Sequence, residues 1–130
     1  NPKPDLGQLA SLRLGLQAGA AGYSFTLVAL VDLPGVAAST YAGLVQAAEA
    51  GGGDLWVPRQ GGRRGHPVVF GQACYEDLLS GPLEQGSRWV VGRHRERRIE
   101  VEVDDPEIHR DVDTPADYER LLKDVDQLRR

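Results

Sequence analysis

The stretch Phe25-Thr26-Leu27-Val28-Ala29-Leu30-Val31 is a continuous apolar run of strand formers, stopped by Asp32-Leu33-Pro34-Gly35. A strand wetted on one face alternates polar and apolar residues. A run without alternation predicts a strand covered on both faces, as in parallel sheets packed between helices. The run is far too short to cross a bilayer. Its end places Asp32 just beyond a strand's carboxyl end, where open α/β sheets bind their ligands.

The surrounding pattern supports the same class. Leu6, Leu9, Ala10, Leu12, Leu16 and Ala20 recur at the spacing of one helix face, with Asp5 as N-cap and Gly19 and Gly22 closing the segment. Ser39 caps a second helix through Leu44, Val45 and Ala48, ended by Gly51-Gly52-Gly53. Asp54 to Pro58 and Pro67 to Phe70 predict short strands, separated by the glycine-rich basic loop 59–65. Short helical pieces follow around Tyr75, Leu78 and Leu79, then around Trp89 and Val90. Ile99, Val101 and Val103 alternate with charged residues, predicting a strand with one wet face, and Asp104-Asp105-Pro106 turns it toward a second strand around 108–112. Thr114-Pro115-Ala116-Asp117 supplies a capping hydroxyl, an N1 proline and an N3 carboxylate for a last helix. Helices alternate with strands first and a hairpin-like pair comes late, so the expected fold is α/β, with a mainly parallel sheet and an antiparallel portion. One domain spans residues 1–130, without repeats or linkers.

Composition removes several function classes. A formal net charge of -4 argues against general nucleic-acid binding, which needs a basic face. The single cysteine, Cys74, excludes an intramolecular disulfide and a structural zinc site, and points to a reducing cytoplasm. Nothing resembles a signal peptide or a membrane span.

Three places can carry chemistry. Asp32 can hold Mg²⁺ between nucleotide phosphates, because that ion prefers one or two carboxylates plus phosphate oxygens; the plainer alternative is a turn-capping aspartate beside Pro34. Asp111 and Asp113 lie two apart on an extended segment and so point the same way; the alternative is a solvated acidic turn. In Arg59-Gln60-Gly61-Gly62-Arg63-Arg64-Gly65-His66, glycines allow close backbone approach and arginines clamp phosphate in a planar fork. A mobile surface hairpin is the competing reading. The cluster Arg93, His94, Arg95, Arg97 and Arg98 reads as a solvated face, and Trp56 and Trp89 as packing residues.

Taken in order, these segments resemble the molybdenum cofactor cytidylyltransferases and guanylyltransferases. Leu30-Val31-Asp32-Leu33-Pro34 is similar to their strand and "DxP" turn, and Gly65-His66-Pro67-Val68-Val69-Phe70 to a "GHPvlf" segment. Asp111-Val112-Asp113-Thr114-Pro115-Ala116-Asp117-Tyr118 resembles the closing "DiDTPeDy", and Asn1, Gly7, Ser11-Leu12 and Gly15-Leu16 an opening helix. The resemblance implies a Rossmann-like three-layer sandwich and Mg²⁺-dependent transfer of CMP or GMP from CTP or GTP. The acceptor would be a phosphorylated small molecule, molybdopterin or its metallated form, and a molybdoenzyme or chaperone would be an onward partner. By this mapping Asp32, Asp111 and His66 are catalytic, with Asp32, Asp111 and Asp113 on the metal. Ser11, Gly15, Pro34, Arg63, Arg64, Gly65 and Arg88 bind nucleotide or substrate. The family's opening "LAAGxSxRMGxxK" loop has no counterpart here. The chain therefore reads as the C-terminal portion of such a domain, expected to bind CTP weakly or not at all alone. The alternatives are a non-catalytic remnant, a sugar-phosphate nucleotidyltransferase and a receiver domain. The last fits worst, since neither Lys3 nor Lys123 sits at a strand end.

Overall fold

The computed structural model describes residues 1–129. Helix α1 (Gln8–Gln17) precedes strand β1 (Phe25–Val28), and helix α2 (Ala38–Ala50) leads into β2 (Leu55–Gln60). Strands β3 (Arg63–Arg64) and β4 (Val68–Gly71) follow, then α3 (Tyr75–Ser80), α4 (Gly86–Arg93), β5 (Arg98–Glu102) and α5 (Pro115–Leu128). In the sheet β4 lies between β1 and β2 and runs antiparallel to both, while β5 pairs with β2 in parallel.

Side-chain alternation along the central strands builds two cores, one on each face of the sheet. Leu55 and Val57 of β2 and Val68 and Phe70 of β4 face Leu9 and Leu16 of α1, Tyr75 and Leu78 of α3, and Val90 of α4. Trp56 and Val69 point the other way, onto Leu44 and Ala48 of α2. The result is the expected α/β three-layer sandwich, with both tryptophans used in packing: Trp56 is buried, and Trp89 rests on the first core with Arg93 over its ring at 5.3 Å. Arg13 of α1 donates to the carbonyls of Leu78 and Gly81, satisfying the open end of α3. Among the described residues, no helix is long and apolar enough to cross a membrane.

The sheet departs from the sequence reading in where its antiparallel portion lies. β1, β2 and β5 do run the same way, but β4 is inserted against two of them. The apolar run forms ladder only over Phe25–Val28, and its strand is a partly exposed edge among the described residues rather than a doubly covered one. Val28 pairs with Val68, and the next partner would be Pro67, which has no N–H to give. The late hairpin does not form either. Pro106–His109 is a 3₁₀ turn, started by Asp105 accepting from Glu107 N, and the segment 110–113 stays extended without a ladder.

The "loop" at 59–65 is a tight β-hairpin. Arg59 and Gln60 pair with Arg64 and Arg63, and Gly61 and Gly62 turn the chain with φ of 60° and 79°. Positive φ at both central residues is the requirement of a two-residue turn whose twist matches its strands, and glycine meets it without steric cost. At the C-terminus the expected cap is present: Thr114 Oγ1 accepts from Asp117 N, and the Asp117 carboxylate accepts from Thr114 N.

Candidate active site

The segments carrying the candidate carboxylates meet beyond the end of β1. Leu33 N donates to Leu30 O, forming the turn that presents Asp32. Val112 N donates to the Asp32 carbonyl at 2.7 Å, which lays the Asp111 segment beside that turn. His66 N donates to Ile108 O at 3.2 Å, bringing the β3–β4 connection to the same place. Asp32, Asp111 and His66 are thus gathered from three distant parts of the chain.

Electrostatics reports the same proximity. Burial holds the His66 ring below the ordinary histidine range, while the charges of Asp32 and Asp111 act to raise it. The ring is neutral at pH 7, and its Nδ1 is buried without a hydrogen-bond partner among the described residues. A histidine whose folded value is lowered favours the fold above about pH 6.5. That contribution is lost as pH falls through the folded value, because the unfolded chain binds the proton first. Ring-proton NMR should place the His66 midpoint below that of an unstructured histidine, and Asp32→Asn should lower it further by removing a favourable charge.

On the other side of His66 opens a cavity of about 950 Å³, between the β2–β3 hairpin and α4. Arg63, Arg64, Gly65, His66 and Arg88 all line it. Arg98 joins them, and this was missed: it was read as part of a solvated face. Its side chain is 18% exposed, and burial followed by the like charge of Arg64 presses its guanidinium below the usual value. Glu100 opposes this, lying 3.8 Å from Arg98 and 4.0 Å from Arg64. Of the rest of that basic run, all but Arg95 meet a carboxylate among the described residues. His94 lies between Asp54 at 3.0 Å and Asp77 at 2.8 Å, Arg93 pairs with Asp77, and Arg97 with Asp54. Those aspartates lie far back in the sequence, so no local pattern reveals the pairing.

Ser11 and Gly15 both lie on helix α1. They stand four apart on α1, hence on one helix face, and line a second groove of about 390 Å³ against β1. Gln8, Leu12, Val28 and Leu30 line both cavities, so the two adjoin. Pro34 is exposed in its turn and lines neither. Gly65 has a packing reason of its own: a Cβ there would meet Ile108 O at 2.5 Å. Cys74 carries no chemistry; it is fully buried and its thiol is pushed up to about 12, chiefly by desolvation.

The expected metal set of Asp32, Asp111 and Asp113 does not form. Among the described residues no group of three or more His, Cys, Asp or Glu side chains is placed to hold a metal. The Asp113 backbone is drawn into the α5 cap, its N–H donating to Asp117. Two carboxylates at one strand end still suit a divalent cation that takes its remaining ligands from phosphate and water.

Carboxylates, a neutral histidine and an arginine wall beyond the strand ends of an α/β sandwich are the parts of a phosphate-handling domain. The chain belongs to the MobA-like NTP transferase domain family, whose pattern matches residues 1–99. Among solved structures it is similar to an Rv0371c homologue from Mycobacterium sp. strain JC1, at 30% identity and a TM-score of 0.71, covering 92% of this chain and 59% of that one. The manganese complex of Rv0371c from Mycobacterium tuberculosis H37Rv is similar at 29% identity and a TM-score of 0.71, covering 87% and 59%. Molybdopterin-guanine dinucleotide biosynthesis protein A from Archaeoglobus fulgidus shares the fold at 18% identity and a TM-score of 0.65, with 93% and 64% covered. No curated protein matches the chain. The chain therefore spans about three fifths of the length of its mycobacterial relatives.

Proposed function

We propose that this domain serves a divalent-metal-dependent nucleotidyl transfer, from CTP or GTP to a phosphorylated small molecule of the molybdopterin class. The observation that carries the reading is the convergence of Asp32 and Asp111 on His66, which itself lines an arginine-lined cavity. Asp32 and Asp111 would hold the metal; Mg²⁺ or Mn²⁺, when bound, would supply charge neutralisation on the phosphates. Arg63, Arg64, Arg88 and Arg98 offset the negative charge of a phosphorylated acceptor in the larger cavity. The adjoining groove of Ser11 and Gly15 takes the nucleotide. His66, on the wall of that cavity, stands beside the acceptor phosphate and helps orient an unprotonated oxygen of it for attack. That oxygen bonds to the α-phosphorus as the bond to the β-phosphate oxygen breaks, and pyrophosphate leaves. Little covalent work falls to the protein, so positioning and electrostatics supply the catalysis.

Pyrophosphate release should be measured on the whole natural polypeptide that carries these residues, with CTP and GTP each offered to pterin and sugar phosphates. Metal-dependent release with a pterin phosphate is the expected result. Release only with sugar phosphates would move the acceptor class. No metal-dependent release with any acceptor would leave a non-catalytic member of the family.

A further inference from the structure

We propose that Asp105 is a positioning residue that sets the separation of the Asp32 and Asp111 carboxylates. The residue is 6% exposed; one carboxylate oxygen reaches a remote segment and the other caps its own. Oδ2 accepts from Ala37 N at 2.9 Å and Thr40 Oγ1 at 2.6 Å, at the start of α2 and five residues beyond Asp32. Oδ1 accepts from Glu107 N at 3.1 Å, four residues before Asp111.

Helix α2 has no side-chain cap from its own N-cap residue, Ala37, so the remote Asp105 satisfies one of its open donors. One buried carboxylate thereby clamps the connection that carries Asp32 to the connection that carries Asp111. The Val112 N to Asp32 O bond lies directly downstream of that clamp. A buried carboxylate is costly unless its oxygens are hydrogen-bonded, and here donors from both segments bond it. An amide cannot reproduce this: in Asp105→Asn one oxygen becomes an NH₂ group, which cannot accept, so either the Ala37 donor or the local Glu107 donor loses its partner whichever way the amide turns, and both arrangements loosen the clamp.

The inference rests on Asp32 and Asp111 being the metal carboxylates, and its test separates the two ideas. Hydrogen exchange of the Val112 amide is compared with that of Val69 in the centre of the sheet, and Mn²⁺ affinity is measured on the same samples. In Asp105→Asn, Val112 should exchange about tenfold faster relative to Val69. Mn²⁺ should bind about tenfold more weakly. Thr40→Val removes a single donor and should shift both readouts in the same direction by less. It carries the test should Asp105→Asn fail to fold. Val112 exchange that rises no more than Val69 overturns the inference whatever the metal does. Faster Val112 exchange with unchanged Mn²⁺ affinity overturns it too, reducing Asp105 to a structural cap. A parent protein that binds no Mn²⁺ overturns the proposed metal site, and the positioning of the two segments is then decided by Val112 alone.

Discussion

Asp32→Asn should lower metal-dependent nucleotidyl transfer by about three orders of magnitude, or about 4 kcal/mol of transition-state stabilisation. The variant is nearly isosteric. Asp32 holds the Val112 segment through its backbone carbonyl, not its side chain, and that bond survives the substitution. The half-buried turn should therefore keep its shape and the protein its thermal stability. What disappears is one negative charge beside His66 and, on the proposed reading, one of the two oxygens offered to the metal. If the charge acts mainly on the transferring phosphates, the loss falls on kcat rather than KM. Steady-state kinetics on the whole natural polypeptide decides this. Activity within about threefold of the parent would return Asp32 to the plainer role of a turn-capping residue.

Gly65→Ala should destabilise the fold by about 3 kcal/mol, at the upper end of what overpacking costs. An added Cβ would sit 2.5 Å from Ile108 O, 2.8 Å from Ile108 Cγ1 and 2.9 Å from its Cβ. The first of these is backbone and cannot swing aside. Either the hairpin or the segment 105–112 must move, straining Gly65 N to Pro58 O at 2.9 Å and His66 N to Ile108 O at 3.2 Å. For a domain of this size the thermal midpoint should drop by about 10 °C. Gly43→Ala is the control. Nothing lies within 4 Å of its added Cβ, and a helical glycine replaced by alanine should gain about 1 kcal/mol. If the Gly65 variant melts with the parent, the hairpin and the Asp111 segment are more loosely joined than these contacts imply. His66 would then not depend on that joint for its place.

Much of the layer structure was legible because it rests on local rules. The short strands at Asp54 to Pro58 and Pro67 to Phe70, the helix spacing in α1 and α2, and the Thr114 capping box each follow from neighbours in sequence, and each element appears. Of the residues the motifs singled out, His66, Arg63, Arg64 and Arg88 share one cavity. The errors share a cause. β1 became a short edge because its partner strand is preceded by Pro67, and the expected hairpin at 108–112 gave way to a 3₁₀ turn nucleated by Asp105. The Asp113 N–H was taken up by the cap of α5.

By itself the sequence determined which residue types stand beyond the strand ends, and which segments are helix or strand. Those properties depend on periodicity and capping within a few residues. Only the tertiary structure decided that Asp111 stands with Asp32 while Asp113 does not, that Arg98 turns into the cavity while Arg93 and Arg97 are neutralised, and that Asp105 joins two connections. The Asp32–Val112, Arg97–Asp54 and Asp105–Ala37 links each join residues dozens of positions apart. Such a contact forms only after the sheet has fixed the distance between the chains that carry it.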